Sequence, residues 1–457
     1  MGGEWTSSKL SNLASLIKRG IAPKYIEEGG LLVLNQRCIR DQKLSISVAR
    51  RHSLIQKKIL VDKILKEGDV LINSTGVGTL GRVAQFKSIN EDVTVDSHVT
   101  IVRLGDNAIN LSFFGHLLRF KEPVFESLGE GSTGQTELSP NRIGDVVVNY
   151  PQSKSEQKAI AHILGSLDDK IELNRQTNQT LEAMAQALFK SWFVDFDPVI
   201  DNALAAGNEI PDALQDRANA RKALGDKRKA LPEDVRGLFP SSFVHSEELG
   251  WIPEGWEVGS IKNLCEKVES GGTPSRKNSA YWEDGAIPWL TSGEVNQDII
   301  IKTKNFITFV GLENSSAKIW PKMSTIVAMY GATAGKITLL ACKTSANQAC
   351  CALIPNNNSK AFVYYKAKDS VSKYESRARG SAQQNLNKSI VSDLESLIPS
   401  NKILDSFEKK AMKILDKLIA NKIMNLHLED LRDTLLPKLI SGELRIPEAE
   451  KLVEALK

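Results

Sequence analysis

The sequence predicts an α+β (mixed α/β) protein: two similar globular bodies separated by two long helices packed as an antiparallel coiled coil, an internal duplication with pseudo-twofold character. Three observations predict it. Residues 153–192 contain one glycine, Gly165, no proline, and many good helix formers. Their seam residues recur with alternating spacings of four and three, at Ile160, Leu164, Leu167, Ile171, Asn174, Asn178, Leu181, Ala185, Leu188 and Trp192, which is the period of a coiled coil. Adding 247 to each number returns a second seam: Phe407, Ala411, Ile414, Leu418, Asn421, Asn425, Leu428, Arg432, Leu435 and Leu439. Both copies carry two asparagines at matching places. A polar residue in a seam fixes register and orientation at some cost in stability. Antiparallel packing about a pseudo-twofold would bring Asn174 to Asn425 and Asn178 to Asn421.

Size and composition bound the rest. A chain of 457 residues has room for two to four domains. No apolar run approaches the length of a membrane span, and a cytoplasmic location is expected. The five cysteines, Cys38, Cys265, Cys342, Cys350 and Cys351, form no Cys-x-x-Cys pair and have no histidine at metal spacing, which fits reduced thiols and argues against a zinc site or a disulfide framework. The net charge is +4, and residues 1–150 hold 19 Lys and Arg against 16 Asp and Glu, residues 251–399 17 against 13. The excess, 3 and 4, therefore sits in the bodies and leaves −3 elsewhere. That is the sign nucleic acid requires.

In chain order, residues 1–150 read as the first body. Strands are expected at 31–34, 69–73, 82–86, 99–104 and 145–149, each short, rich in Val and Ile, and bounded by Gly, Asn or Asp. A helix is expected at 111–120, and glycine-bearing polar loops at 74–81 and 129–139. The first long helix occupies 151–197 and ends before Asp197-Pro198. Residues 198–250 form a connector with short helices, including a charged one at 212–231. The second body, 251–399, tracks the first. Trp256 matches Trp5, Pro274 matches Pro23, residues 325–336 match 69–82, 350–354 match 99–104, and Phe362 matches Phe113. The second long helix fills 400–457 and is closed by Pro437 and then Ser441-Gly442.

Two glycine motifs suggest nucleotide chemistry and fail on context. Gly76, Gly78 and Gly81 spell G-x-G-x-x-G, but a dinucleotide fold opens a helix there, and residues 82–86 read as strand. Residues 331–336 (GATAGK) are one residue short of a phosphate loop and place Ile337 where a magnesium-binding hydroxyl belongs. Asp96-Ser97-His98 offers no nucleophile elbow, and no Asn/Asp-Pro-Pro-aromatic tetrapeptide of an amino-methyltransferase is present.

The polar loops at matched positions are the better signal. Ser132, Thr133, Gln135, Thr136 and Glu137 in the first body correspond to Ser381, Gln383, Gln384 and Asn385 in the second. Asp96-Ser97-His98 corresponds to Asn347-Gln348-Ala349, which offers Ser97 and His98, Asn347 and Gln348, and the glycine loops add Thr79 and Arg82, Thr333 and Lys336. Thr273, Ser275, Arg276 and Lys277 follow a Gly-Gly turn. Amide, hydroxyl and guanidinium groups suit base edges, and cationic ones suit phosphates. These are the candidate DNA-binding residues. The helix-pairing candidates are Leu164, Leu167, Ile171, Asn174, Asn178, Leu181 and Leu188 with Ile414, Leu418, Asn421, Asn425, Leu428 and Leu435. A rival from another class is a duplicated coiled-coil scaffold that binds protein partners.

Residues 156–161 (EQKAIA), 163–174 (ILGSLDDKIELN), 187–198 (ALFKSWFVDFDP), 238–243 (LFPSSF), 249–258 (LGWIPEGWEV), 271–274 (GGTP) and 331–336 (GATAGK) carry a resemblance. Through them the chain resembles the specificity subunit of type I restriction-modification systems over nearly its whole length. It departs at residues 19–23 (RGIAP), where the second body has Gly-Gly-Thr-Pro. The resemblance implies that each body is a target recognition domain reading one half of a bipartite, asymmetric DNA sequence. It implies that the helices dock two methyltransferase subunits, which use S-adenosylmethionine to methylate adenine N6, and that restriction subunits bring ATP, Mg and cleavage. This chain would then hold no catalytic residue, metal or cofactor. A 40-residue helix rises about 60 Å, enough to hold two readers more than one DNA turn apart.

Overall fold

In the first body the chain opens with a strand, Trp5–Lys9, that pairs antiparallel with Val147–Pro151, so its beginning and end close on each other. The computed structural model describes residues 4–105, 109–131, 136–227, 231–379 and 385–454. These divide into two units, residues 1–172 with 425–457, and residues 173–424. Each unit thus holds one body and a portion of each long helix, Lys154–Phe193 and Asn401–Ser441.

The first unit builds an antiparallel sheet in the order Ala14–Arg19, Val99–Leu104, Val70–Asn73, Val83–Gln85. A second sheet runs Val93–Val95, Leu31–Leu34, Arg50–His52, Tyr25–Ile26, with the first pair parallel. Branched side chains suit both pleated surfaces, and Leu71, Val99 and Ile101 of one sheet share a core with Leu32, Leu34, Val93 and Val95 of the other. The helix Leu111–Phe120 starts where Asn110 accepts the Phe113 N–H at 3.0 Å, an N-cap.

The second unit repeats this plan. Cys265–Ser270, Cys350–Pro355, Thr325–Ala328 and Ile337–Leu340 form the antiparallel sheet, extended by a parallel Ile299–Ile300. Asn305–Ile307, Ile287–Leu290 and Ser345–Ala346 form the smaller sheet, its last pair again parallel. Glu257–Ser260 pairs with Glu395–Ile398. The central strands of the two large sheets, Val99–Leu104 and Cys350–Pro355, are 251 residues apart, and the helices Leu111–Phe120 and Lys360–Asp369 are 249 apart. The fold class is therefore the expected one, an α+β duplication with long helices.

Within each unit the long helices run antiparallel. In the first, Asn425 Nδ2 donates to the Ile171 carbonyl at 3.1 Å and Asp168 meets Arg432 at 3.0 Å, so numbers rise on one helix as they fall on the other. Leu164, Leu167, Ile171, Leu428 and Leu435 are all buried there. In the second, Asn421 Nδ2 donates to Asn178 Oδ1 at 2.8 Å, and Asn178 Nδ2 to the Leu418 carbonyl at 3.2 Å. Asn174 and Leu418 are buried, while Leu181, Leu188 and Ile414 are half-buried. Phe189 and Leu415, one step off the expected seam, are fully enclosed instead. A straight helix drifts against a seven-residue repeat, and the body packs here: Phe189 lies 5.4 Å from Phe362 and 6.0 Å from Phe407.

Several boundaries differ from expectation. The first long helix, expected over 151–197, runs Lys154–Phe193, and Asp197 opens a separate helix, Asp197–Ala206. The strand expected at 145–149 begins at Val147, because Pro140–Asp145 forms a short helix capped by Ser139. The charged connector helix is shorter, Gln215–Ala223, flanked by single 3-10 turns. Pro437 does not close the second long helix. It sits inside it with its ring exposed, and the helix ends at Ser441, followed by Gly442 at φ +77° and a further helix, Ile446–Glu454.

Candidate nucleic-acid interface

In each body one end of the large sheet gathers the candidate residues. Cross-strand partners define that rim in the first unit: Arg19 lies opposite Thr100, Asn73 opposite Val99, and Asn73 donates its N–H to the Arg82 carbonyl at 2.9 Å and accepts the Gly81 N–H at 2.8 Å. From it leave the glycine loop 74–82, the turn 96–98 and the segment 20–25. In the second unit Ser270 lies opposite Cys351, Ala328 opposite Cys350, and the Ala328 N–H reaches the Lys336 carbonyl at 3.0 Å. The same three connections leave from there. Leu138 N–H bonds to the Ser74 carbonyl and Leu386 N–H to the Met329 carbonyl, both at 2.8–2.9 Å, so a fourth loop is laced to the glycine loop in both.

The glycine loops are turns between antiparallel strands, with no helix following. Gly76, Gly78 and Gly81 all have positive φ, as do Gly331 and Gly335. A Cβ on Gly81 would lie 2.5 Å from the Glu126 nitrogen, and one on Gly335 3.1 Å from that of Glu375, so both loops pass tightly under a helix.

The first rim is internally bonded. Thr75 Oγ1 meets His98 Nδ1 at 2.8 Å, and Asp96 Oδ1 accepts the His98 N–H at 2.9 Å. Burial pushes the Asp96 carboxyl up, opposed by that N–H. Arg19 pairs with Glu137 and donates to the Leu138 carbonyl at 3.0 Å. Arg82 donates to its own loop, at the Gly78 carbonyl, 2.8 Å away, and Thr79 Oγ1 to the Thr75 carbonyl at 3.3 Å. Ser97 and Thr136 are half-buried, and His98 and Glu137 are exposed. Ser132, Thr133 and Gln135 lie outside the described residues. A cleft of about 340 Å³ opens between Arg19, Glu130, Glu137, Ser139 and Pro140.

On the second rim Thr273 bonds to Gln348, and Asn347 Oδ1 accepts the Ala349 N–H at 3.2 Å. Lys336 pairs with Glu375 at 3.1 Å. Ser275, Arg276, Lys277, Lys336 and Gln348 are exposed, Thr333, Asn347 and Asn385 half-buried. Ser381, Gln383 and Gln384 lie outside the described residues. A larger hollow, about 710 Å³, lies away from the rim, between the helix Leu111–Phe120 and the first long helix, and takes in none of the candidate DNA-binding residues.

Sequence reasoning missed the aromatic side chains of these rims. The Arg50 guanidinium stacks on the Tyr25 ring, its carbon 3.5 Å from the centroid, and that of Arg276 stacks on Trp282 at 3.6 Å. The available signal was the 251-residue offset, which aligns Tyr25 with Arg276. Among the described residues no group of three or more His, Cys, Asp or Glu is placed to hold a metal ion, and no helix is long and apolar enough to cross a membrane.

Comparison with known proteins follows the same duplication. The family model of the type I restriction modification DNA specificity domain matches twice, at residues 4–183 and 253–431. The chain is 31% identical over 407 residues to the type I restriction enzyme HindI specificity subunit of Haemophilus influenzae, covering 84% of this chain and 88% of that protein. It is 27% identical over 393 residues to the type I restriction enzyme MjaIX specificity subunit of Methanocaldococcus jannaschii, covering 84% and 80%. Its fold is similar to that of the crystallised type I restriction-modification S subunit from M. genitalium, at 16% identity and a TM-score of 0.56 over 96% of each chain. With two matches that span most of its length, the chain belongs to the type I restriction-modification DNA specificity family.

Proposed function

We propose that this chain is the DNA sequence-specificity subunit of a type I restriction-modification complex. Each body reads one half of a bipartite, asymmetric target through the loops at its sheet rim. The paired long helices dock two methyltransferase subunits and hold the half-sites at a fixed spacing. Catalysis belongs to the partners: the methyltransferase brings S-adenosylmethionine to adenine N6, and restriction subunits bring ATP, Mg and strand cleavage. The complex works in the cytoplasm.

The observation that carries this reading is the repetition of one rim. The same three connections leave the same sheet end in both bodies, a fourth loop is laced to the glycine loop in each, and each rim displays amide, hydroxyl and guanidinium groups. Reading a half-site needs such groups at base edges, with lysine and arginine on phosphates for position. A fixed spacing turns two modest affinities into one tight one by raising effective concentration. The candidate residues at the rims, from Thr79 and Arg82 to Thr333 and Lys336, are the contacts we assign to DNA.

The test is a gel shift of the chain with its partner methyltransferase on genomic fragments at several salt concentrations. Binding should weaken linearly in log affinity with log salt, because phosphate contacts release counterions. Binding to protein partners without any DNA retention would instead establish a duplicated scaffold.

A further inference from the structure

One arginine lies flat on an aromatic ring at each rim, and the two were built from different positions. Arg50 comes from the strand Arg50–His52 and covers Tyr25; Arg276 comes from the loop after Gly271 and Gly272 and covers Trp282, with Trp289 at 5.0 Å. The 251-residue offset places Arg276 where the first body has Tyr25. The cation of one body therefore occupies the sequence position of the ring in the other, yet both bodies arrive at one arrangement.

The rings are themselves held. Tyr25 is the cross-strand partner of His52, and its hydroxyl lies 3.5 Å from Asp96, at the head of the turn 96–98. Trp282 Nε1 donates to the Ser275 carbonyl at 3.1 Å, and Trp289 Nε1 to the Gly272 carbonyl at 3.0 Å. Trp289 is the parallel partner of Ser345, two residues before the turn of Asn347 and Gln348. Each stack thus borders the turn that feeds the central strand of its sheet.

Several arginines of the first unit are occupied by internal partners: Arg19 with Glu137, Arg103 with Asp69, Arg142 with Glu130. Arg50 and Arg276 are exposed, and neither pairs with a carboxylate among the described residues. A guanidinium stacked on an aromatic face has lost much of its rotamer freedom before any ligand arrives, while its N–H edge stays open. A flat, oriented fork of donors matches the O6 and N7 acceptors of guanine in the major groove. Phosphate needs only a nearby positive charge, which a mobile lysine supplies as well.

We propose that Arg50 and Arg276 are specificity-determining residues, each reading a guanine edge in the half-site of its own body. The inference rests on the DNA-reading function proposed above.

The test uses the full chain with its methyltransferase and single-molecule methylome sequencing of cells that express them. Arg50→Lys and Arg276→Lys keep the charge and remove the fork; Tyr25→Leu and Trp282→Leu keep the arginine and remove its platform. Each lysine variant should relax one G·C position in one half-site, a different half-site for each, with discrimination there falling about 10- to 100-fold. The platform variants should relax the same positions to a smaller degree. In duplexes, 7-deazaguanine at that position, which lacks N7, should slow wild-type methylation and leave the matching lysine variant unaffected. An unaltered motif, whether modification falls uniformly as for a phosphate contact or does not fall, overturns the inference and leaves the DNA-reading function standing. A wild-type complex that yields no bipartite motif overturns both. The lysine variants, at exposed positions, carry the test if a platform variant melts early.

Discussion

Asp168 sits between two arginines, and that arrangement decides how the first unit meets acid. Burial alone would raise its carboxyl, but Arg119 and then Arg432 reverse the effect and bring it down to about 2. His116, beside Arg119, is lowered to about 4 by burial first and by that guanidinium second. A histidine depressed in the fold is neutral there while the unfolded chain takes up its proton. Its contribution is whole above the ordinary value of 6.5, and is lost as pH falls from there to about 4. The shift corresponds to about 3 kcal/mol. Denaturant titrations of the full chain at pH 7 and pH 4.5 should show most of that loss, and His116→Gln should flatten it; an equal loss in the variant would exclude His116 as the source. Asp168 adds a further fall only below about pH 4. None of this was readable in the sequence, because Arg119, Asp168 and Arg432 come from three separate elements.

Helix ends tie each body to a long helix. Glu408, on the second long helix, accepts the N–H groups of Ala361 and Phe362 at 3.1 and 2.9 Å, closing the start of the helix Lys360–Asp369. Burial pushes this carboxyl up and the two N–H bonds oppose it. In the first unit Gln157 of the other long helix accepts the Asn110 N–H at 2.7 Å, next to the start of Leu111–Phe120. Glu408→Ala should cost about 3 kcal/mol in urea unfolding, since two buried donors lose their acceptor. Glu408→Gln, which keeps an acceptor oxygen, should cost clearly less, and equal losses would show that packing rather than capping is at stake. At this scale the sequence was legible where the pattern is local. The strands Leu31–Leu34 and Val99–Leu104 are short apolar runs bounded by polar or glycine residues, and the helix Leu111–Phe120 carries its own cap. Trp5–Lys9 and Ala14–Arg19 were not legible, because they become strands only through partners Val147–Pro151 and Val99–Leu104, far along the chain. Leu188 was preferred to Phe189 because a heptad count follows the partner helix and takes no account of a body packing from the side.

For the whole molecule, duplication was the most legible property, since offsets of 247 to 251 residues survive small loop changes. The rims were half legible: polar loops could be matched by offset, but Arg50 over Tyr25 required two strands to pair first. The duplication has one more outcome. Each unit pairs the early part of one long helix with the late part of the other, as Asn178 with Asn421 and Ile171 with Asn425. By the 247-residue offset, Asn421 and Asn425 are the counterparts of Asn174 and Asn178. A fragment of residues 1–250 therefore carries both halves of a complementary seam, and two copies could supply each other's missing helix as an isologous dimer. Sedimentation of that fragment should show a dimer that Asn178→Leu shifts in register or stoichiometry, and a stable monomer would rule the exchange out. If the proposed DNA-reading function holds, such a dimer would present two identical readers related by a twofold axis, and would turn an asymmetric address into an interrupted palindrome.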